Sequence, residues 1–224
     1  MSDNTVCKLA YEGRLDELHK RIVQEPRALE QTDSCGRIPL HWAISGKRLE
    51  VFNFLVQKGS PTDVPDDNQW TPLMIACSVG LEEAVHILIA KGADVNARNS
   101  TGQSPLHYAA SKSFISIAKK LLANGAQPAL EDRMGSTPLH RAASKANVSV
   151  LEMLLNHLSA SDVNRRDRYG NTPLHLACEE GSRPAVLLLR KSGARNDIIN
   201  KEEKMPSDLC KERTLAKLVA GGDE

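Results

Sequence analysis

The sequence predicts an all-α fold, a solenoid of seven stacked helix-turn-helix repeats, from two periodic observations. Six prolines recur at spacings of 33, 33, 33, 35 and 33 residues, namely Pro39, Pro72, Pro105, Pro138, Pro173 and Pro206. An Asp or Asn stands six residues before each of them, at Asp33, Asp66, Asn99, Asp132, Asp167 and Asn200. Because the proline series and the Asp/Asn series keep the same spacing across one insertion, they indicate a repeated structural unit. Such arrays typically bind other proteins through an extended face.

The first helix of each repeat is predicted to begin at the proline. Thr or Ser usually precedes it, as at Thr71 and Ser104, and the side-chain oxygen is expected to cap the helix by accepting an unpaired backbone N–H. Proline suits the first helical position because its missing N–H has no partner there. The helix carries small side chains, as in residues 106–110, so it is expected to pack closely against its neighbours.

The second helix of each repeat is predicted to be amphipathic. Leu81, Ala84, Val85, Leu88 and Ile89 follow the spacing i, i+3, i+4, i+7, i+8, which is typical of a helix with one buried face. A glycine in the left-handed conformation is expected at the end of these helices, at Gly59, Gly92, Gly125 and Gly193.

The repeats are expected to form one domain over residues 1–224. Their predicted bounds are 3–36, 37–69, 70–102, 103–135, 136–170, 171–203 and 204–224. The fifth repeat holds two extra residues and lacks the terminal glycine. Since insertions are usually accommodated in loops, a longer or distorted end of its second helix is expected near 156–161.

Composition argues against several function classes. The chain has 29 basic and 28 acidic residues and a formal net charge of +1, so no global field favours nucleic acid or a membrane surface. No apolar stretch is long enough to span a bilayer. Five cysteines without metal-ligand spacing suggest reduced thiols. The chain's polar beginning lacks the core of a signal peptide. We therefore expect a monomer located in the cytoplasm and nucleus.

Four histidines of the repeated motif could suggest a metal site, at His41, His107, His140 and His175. Packed helices lie about 10 Å apart, whereas metal–nitrogen bonds are about 2 Å. These histidines are therefore predicted to bridge the turn backbones of adjacent repeats. Met74 takes their position in one repeat, which a ligand site would not tolerate. No phosphate-binding loop or nucleophile motif is present, so neither a cofactor nor an enzymatic activity is expected.

The period and the Thr-Pro-Leu-His motif resemble the ankyrin repeat. A closer resemblance, to the family of gankyrin-like proteasomal assembly chaperones, rests on stretches that run through the whole chain. The less generic ones are Leu40-His41-Trp42-Ala43, Tyr108-Ala109-Ala110-Ser111-Lys112 and Asn200-Lys201-Glu202-Glu203-Lys204.

This resemblance implies a chaperone that binds the C-terminal helical domain of a proteasomal ATPase while the base of the regulatory particle assembles. It also implies site residues. Arg37 and Lys112 match basic positions that bind the partner in the family, and Asp66, Asp67 and Trp70 match its acidic turn segment. Replacement of both basic residues by glutamate is expected to weaken binding while leaving thermal stability nearly unchanged.

Other candidates for partner binding come from the residues themselves. Arg141 and Lys145 belong to a late basic cluster, with Arg133, Arg165, Arg166 and Arg168, and are expected to project from first helices near a groove. The cluster is either a solvated face or one half of a surface divided by charge. Trp42 and Trp70 either pack internally or anchor a partner.

A second function class stays open. Leu176, Cys178 and Glu180 fit the Leu-x-Cys-x-Glu pattern that binds retinoblastoma-type proteins, which requires an extended peptide. The same stretch is predicted to be a helix with Leu176 and Ala177 buried. The alternative function is therefore an ankyrin-type regulator that binds a cyclin-dependent kinase or a retinoblastoma-type protein.

Overall fold

The computed structural model describes residues 6–221, which form helices and turns and contain no β-strand. The all-α prediction is confirmed over these residues. The chain divides into two compact units, Met1–Ser100 and Thr101–Glu224. The repeat bounds and the expectation of a single domain stay predictions. Among the described helices, none is long and apolar enough to cross a membrane.

The first unit contains three helix pairs. Their first helices are α1 (Val6–Glu12), α3 (Pro39–Ser45) and α5 (Pro72–Val79), and α3 packs against both of the others. Each packs on its own second helix, which are α2 (Leu15–Gln24), α4 (Leu49–Gln57) and α6 (Glu82–Ala90). A 3₁₀ turn at Pro26–Leu29 follows α2.

The second unit repeats this arrangement. Its first helices are α7 (Pro105–Ser111), α9 (Pro138–Ala143) and α12 (Pro173–Glu180), followed in the same layer by a 3₁₀ turn at Pro206–Leu209. The second layer contains α8 (Ile115–Ala123), α10 (Val148–Leu155), α13 (Arg183–Lys191) and α14 (Arg213–Ala220). A one-turn helix, α11 (Ala160–Val163), lies between α10 and α12 in the chain.

The second helices bury a repeating apolar stripe. Ala84, Val85 and Leu88 are buried as the spacing predicts, whereas the flanking Leu81 and Ile89 remain partly exposed. Five of the second helices each have one fully buried leucine at the same repeat position, at Leu55, Leu88, Leu121, Leu154 and Leu189. Burial of a leucine contributes about 1.5–3 kcal/mol, so this column is a main source of stability within each unit.

The predicted capping is correct at one helix and different at others. Thr71 accepts the N–H of Met74 at 3.3 Å, as expected. Where histidine follows the proline by two residues, the hydroxyl contacts its ring instead, as between Ser104 Oγ and His107 Nδ1 at 2.9 Å. The backbone N–H of His107 donates to the carbonyl oxygen of Ser104 at 3.0 Å.

The fifth repeat accommodates its two extra residues without a longer second helix. Helix α10 ends at Leu155, and the extra residues contribute to α11, which Ser159 caps by accepting the N–H of Asp162. Val163 at the end of α11 is buried at the repeat position of Val95. Helix α10 is therefore not longer, but its end differs from that of the other second helices, because no left-handed glycine follows it and a separate helical turn restores the register of the core.

The glycines that end second helices adopt the predicted left-handed conformation. Gly92 has a φ of 88°, and Gly59, Gly125 and Gly193 have nearly the same value. Gly36 is constrained differently, since an added Cβ would lie 2.4 Å from Asp67 Oδ1 in the next turn. A side chain at Gly36 would therefore push two successive turns apart.

Candidate functional site

The turn that precedes each first helix is built around the Asp or Asn six residues before the proline, which we call the turn anchor. At Asp66, Oδ1 accepts the backbone N–H groups of Asn68 and Trp70 at 2.9 and 2.8 Å. The equivalent oxygen accepts the equivalent two amides at Asp33, Asp132, Asp167 and Asn200. The turn needs only one such oxygen, which explains why Asn can replace Asp there.

The four motif histidines each join a turn to the one that follows it. His140 Nδ1 accepts the backbone N–H of Thr137 at 3.1 Å, so Nε2 carries the proton and donates to the carbonyl oxygen of Asn171 at 3.2 Å. Equivalent bonds reach the next turn from three other rings: His41 to Trp70 O, His107 to Ser136 O and His175 to Lys204 O. The prediction of structural, bridging histidines is confirmed. Burial lowers the pKa of His140, which keeps the ring neutral.

The second oxygen of a turn anchor accepts a different donor in different repeats. Trp42 Nε1 donates to Asp33 Oδ2 at 2.8 Å, and Arg141, at the same repeat position as Trp42, donates to Asp132 Oδ2. Asp66 Oδ2 instead accepts Arg37 Nε at 2.8 Å, from the preceding turn. The side chain that donates to this second oxygen therefore differs between repeats, and it is held along the surface of the turn.

Four of the predicted binding residues lie together in the first unit. The Arg37 guanidinium carbon lies 5.2 Å from the centre of the Trp42 ring, and Trp42 and Tyr11 pack edge to face with a centroid distance of 5.8 Å. Arg37 also bridges to Asp66, which holds the turn that ends at Trp70. Arg37, Trp42, Asp66 and Trp70 thus form one connected cluster, the Arg37 cluster.

This geometry revises one expectation. The Asp66 side chain is 1% exposed, so Arg37 neutralises a buried carboxylate and is more than a surface contact for a partner. Replacement of Arg37 by glutamate would place two carboxylates side by side. From this contact we expect the change at Arg37 to lower stability, which differs from the expectation drawn from the sequence. Asp67, by contrast, is exposed, and its backbone N–H donates to Cys35 O at 3.0 Å.

The second unit contains the remaining predicted binding residues. Lys112 follows α7 and Lys145 follows α9, and both side chains are exposed and form no ion pair with any described residue. Arg141 is partly buried and held by Asp132. Burial alone would raise the pKa of Asp132, but hydrogen bonds from Arg141 and from turn amides lower it. Of these three cations, the two lysines are therefore the ones open to a partner.

Part of the late basic cluster serves the fold. Arg165 pairs with Glu131 at 2.6 Å and with Asp162 at 2.9 Å, and Arg166 donates to the carbonyl oxygen of Ile199 at 2.8 Å. Arg133 and Arg168 are exposed. Because Arg165 and Arg166 are bound within the fold, the surface is less strongly divided by charge than the sequence alone indicates.

A cleft in the second unit was not predicted. It has a volume of about 430 Å³ and is lined by Met134, Arg141, Asp167, Tyr169, Leu176 and Glu179, among others. Met134 is 36% exposed and Tyr169 is 62% exposed, and they occupy the same repeat position in successive turns. That position holds Cys35, Asn68, Thr101 and Glu202 elsewhere, so the two adjacent large apolar residues were the feature that could have indicated the cleft.

The Leu-x-Cys-x-Glu residues lie on helix α12. Cys178 is fully buried and Glu180 is exposed, so the two side chains are not presented to a partner together. Leu176 was predicted to be buried, but it is partly exposed because it faces the cleft. Within residues 6–221, no group of three or more His, Cys, Asp or Glu side chains is arranged to hold a metal ion.

These observations define a helical repeat protein whose successive turns are joined by buried histidines and present a variable polar surface. The chain belongs to the ankyrin repeat family: the model of that family, which spans three repeat copies, matches residues 6–99, 40–132 and 106–200. More than four-fifths of the chain thus matches the model of the family.

Two kinds of relative are similar to the chain. It is 44% identical over 70 residues to the 26S proteasome non-ATPase regulatory subunit 10 of Homo sapiens, covering 31% of each chain. The mouse subunit matches equally, covering 31% of this chain and 30% of the relative. The probable 26S proteasome regulatory subunit p28 of Saccharomyces cerevisiae is 35% identical over 73 residues, covering 31% of this chain and 32% of the relative. The alignments thus span about a third of these relatives.

A solved structure shows the same fold. The crystal structure of the human ASB11 ankyrin repeat domain superposes with a TM-score of 0.85 at 24% identity, covering 99% of this chain and 100% of that domain. The protein is therefore an ankyrin-repeat scaffold for protein binding, similar in sequence to proteasome regulatory subunit 10 and p28.

Proposed function

We propose that this protein is a chaperone for assembly of the base of the proteasome regulatory particle. In this role it binds the C-terminal domain of a proteasomal ATPase, without catalytic turnover, in the cytoplasm and nucleus. The observation that carries the proposal is the 44% identity over 70 residues to the 26S proteasome non-ATPase regulatory subunit 10. The ASB11 ankyrin repeat domain, which shares the fold, is 24% identical.

The surface chemistry supports a charged interface. Lys112 and Lys145 are exposed cations of the second unit, and Asp67 is an exposed carboxylate of the first. Exposed charges on a binding surface help to orient a partner and speed its association. The Arg37 cluster adds two partly exposed tryptophans, a residue type enriched among the side chains that dominate binding energy.

The test is affinity purification of the full chain from cell extract, followed by mass spectrometry. The wild-type chain is compared with the double variant Lys112→Glu and Lys145→Glu. The control is the double variant Lys119→Glu and Lys191→Glu, which makes the same charge change at exposed positions of second helices. We expect a proteasomal ATPase with the wild type and the control, and several-fold less with the first variant.

Two results would overturn the assigned partner, and a third would overturn the assigned binding surface. Absence of any proteasomal ATPase from the wild-type sample would remove the assigned partner. Recovery of a cyclin-dependent kinase or a retinoblastoma-type protein in its place would favour the signalling function instead. An equal loss of the ATPase from both double variants would show that net charge, and not the turn surface, governs the interaction.

A further inference from the structure

Asp167, the turn anchor that precedes the sixth repeat, lacks the donor that other acidic anchors have. Asp167 Oδ1 accepts the turn amides of Tyr169 and Asn171, both at 2.9 Å. Its second oxygen accepts no hydrogen bond from any described residue, whereas Oδ2 of Asp33, Asp66 and Asp132 each accepts a side-chain N–H. Asp167 therefore offers an acceptor oxygen that the fold leaves unused.

The reason lies nine residues further along the chain. Trp42 and Arg141 occupy the position that donates to the anchor preceding their own repeat, and the sixth repeat has Leu176 there. A leucine cannot donate, so its apolar side chain lines the 430 Å³ cleft beside the open carboxylate. The sixth repeat thus lacks the cation that fills the equivalent place in the fifth.

The other cleft residues favour a cation with an apolar stem. Met134 and Tyr169 present exposed apolar surface at its edge, and Glu179 adds a second exposed carboxylate. The cation that lines the cleft, Arg141, is already held by the buried carboxylate of Asp132. The lining therefore offers negative charge together with an apolar wall.

We propose that this cleft binds an arginine side chain presented by a partner protein. Asp167 and Glu179 accept its N–H groups, Tyr169 stacks on the guanidinium plane, and the stem contacts Met134 and Leu176. Arginine fits better than lysine, because its planar fork binds carboxylates through paired hydrogen bonds and stacks on aromatic rings. The inference deepens the proposed function by naming a side chain of the partner, and it rests on that function only in requiring a protein partner.

The test uses the full chain, labelled with ¹⁵N, and two acetylated and amidated pentapeptides, Ala-Leu-Arg-Leu-Ala and its analogue with neutral citrulline in place of arginine. We expect the arginine peptide to bind about two- to fivefold more tightly, as an exposed ion pair allows. The largest shifts should be those of the backbone amides of Tyr169 and Leu176. The difference between the peptides should shrink at high salt.

Two variants identify the carboxylate. Asp167→Asn keeps the Oδ1 acceptor that the turn needs, as Asn200 does naturally, and should abolish the preference for arginine. Leu176→Arg supplies an internal donor, as Arg141 does for Asp132, and should block both peptides. The control Asp197→Asn removes an exposed carboxylate of the same unit and should change nothing.

Three outcomes would overturn the inference. They are equal binding of the two peptides, a preference for arginine that survives in Asp167→Asn, and the absence of amide shifts at peptide concentrations of about 20 mM, well above the expected millimolar Kd. None of these depends on a proteasomal ATPase. Failure of the affinity purification would leave the peptide result intact, so the two proposals fail separately.

Discussion

The Arg37 guanidinium donates a hydrogen bond of 2.8 Å to the Asp66 carboxylate, linking two successive turns of the first unit. The Asp66 side chain is almost completely buried, whereas Arg37 is 24% exposed. One residue thus contributes to the fold with one edge of its side chain and faces solvent with the other. A loss of binding after mutation of Arg37 therefore has two causes, which must be separated.

Replacement of Arg37 by glutamate should destabilise the protein as well as weaken binding. The buried Asp66 carboxylate would lose its charged partner and gain a like charge, at an expected cost of about 1–3 kcal/mol. Urea unfolding followed by circular dichroism gives this cost. The matched variant Lys112→Glu changes an exposed residue without an ion pair to any described residue, and should stay within about 0.5 kcal/mol of wild type. Equal stability of the two variants would contradict a structural role for Arg37.

Stability should fall as the pH drops below about 6.5, the ordinary pKa of histidine. Burial lowers the pKa of His41, His140 and His175 in the folded protein, so the unfolded chain takes up protons first and is favoured. The loss is at most about 1.4 kcal/mol per pH unit for each such histidine. The pKa values of Asp33 and Asp132 lie below the ordinary value of 3.8, so the stability that these residues contribute is lost only at a lower pH, below about 3.8.

Urea midpoints at pH 7.5, 6.5 and 5.5 measure this dependence. The variant His140→Met and His175→Met is a suitable comparison, because Met74 occupies the same repeat position naturally and is buried. It should be less stable at pH 7.5, where two bridging hydrogen bonds are missing, but flatter between pH 6.5 and 5.5. An unchanged slope would show that these rings do not carry the pH dependence.

Truncation of the leucine column should be costly. Leu121 is fully buried in α8, and Leu121→Ala should lower the free energy of unfolding by about 2–5 kcal/mol. The matched control is Leu187→Ala, which makes the same change at a leucine of α13 that is 43% exposed. We expect that variant to change the free energy of unfolding by less than about 1 kcal/mol. Similar costs for both would contradict the burial pattern.

The cysteines should react in an order set by burial. Cys35 is exposed, while Cys77 and Cys178 are fully buried. Burial, together with the nearby Asp33 charge, raises the pKa of Cys7 to about 12, and burial also raises the pKa of Cys77. Since the thiolate is the reactive form, iodoacetamide should modify Cys35 first, and Cys77 and Cys178 only in denaturant. Peptide mapping by mass spectrometry would show the order, and early modification of Cys77 would contradict it.

The repeated features of this chain could be predicted, and the differences between repeats could not. Periodicity fixes which residues form helices and which face is buried, because one physical requirement recurs at each repeat. The role of the motif histidines followed from distance alone. The pairing of Arg37 with Asp66, and of Arg141 with Asp132, depends on which neighbour can reach a carboxylate oxygen. The spacing of residues does not determine these pairings. Arg37 and Arg141, which were expected to bind a partner, therefore also contribute to the fold.

The cleft shows the same limit. Met134 and Tyr169 are 35 residues apart in the chain, and only the repeat register makes them equivalent positions of successive turns. A comparison, across the repeats, of the residue two positions after each turn anchor would have indicated apolar surface there. It would not have shown that Asp167 has an open oxygen, because that depends on the actual hydrogen bonds around it.

Helix α11 has a practical consequence for protein engineering. The fifth repeat already carries two more residues than its neighbours, and Val163 still reaches the same buried position as Val95. The connection between Asn156 and Ser159 can therefore vary in length without moving the residues that follow it in the core. A short epitope tag or a fluorophore attachment sequence inserted in that connection would report on the protein without displacing the turns that follow.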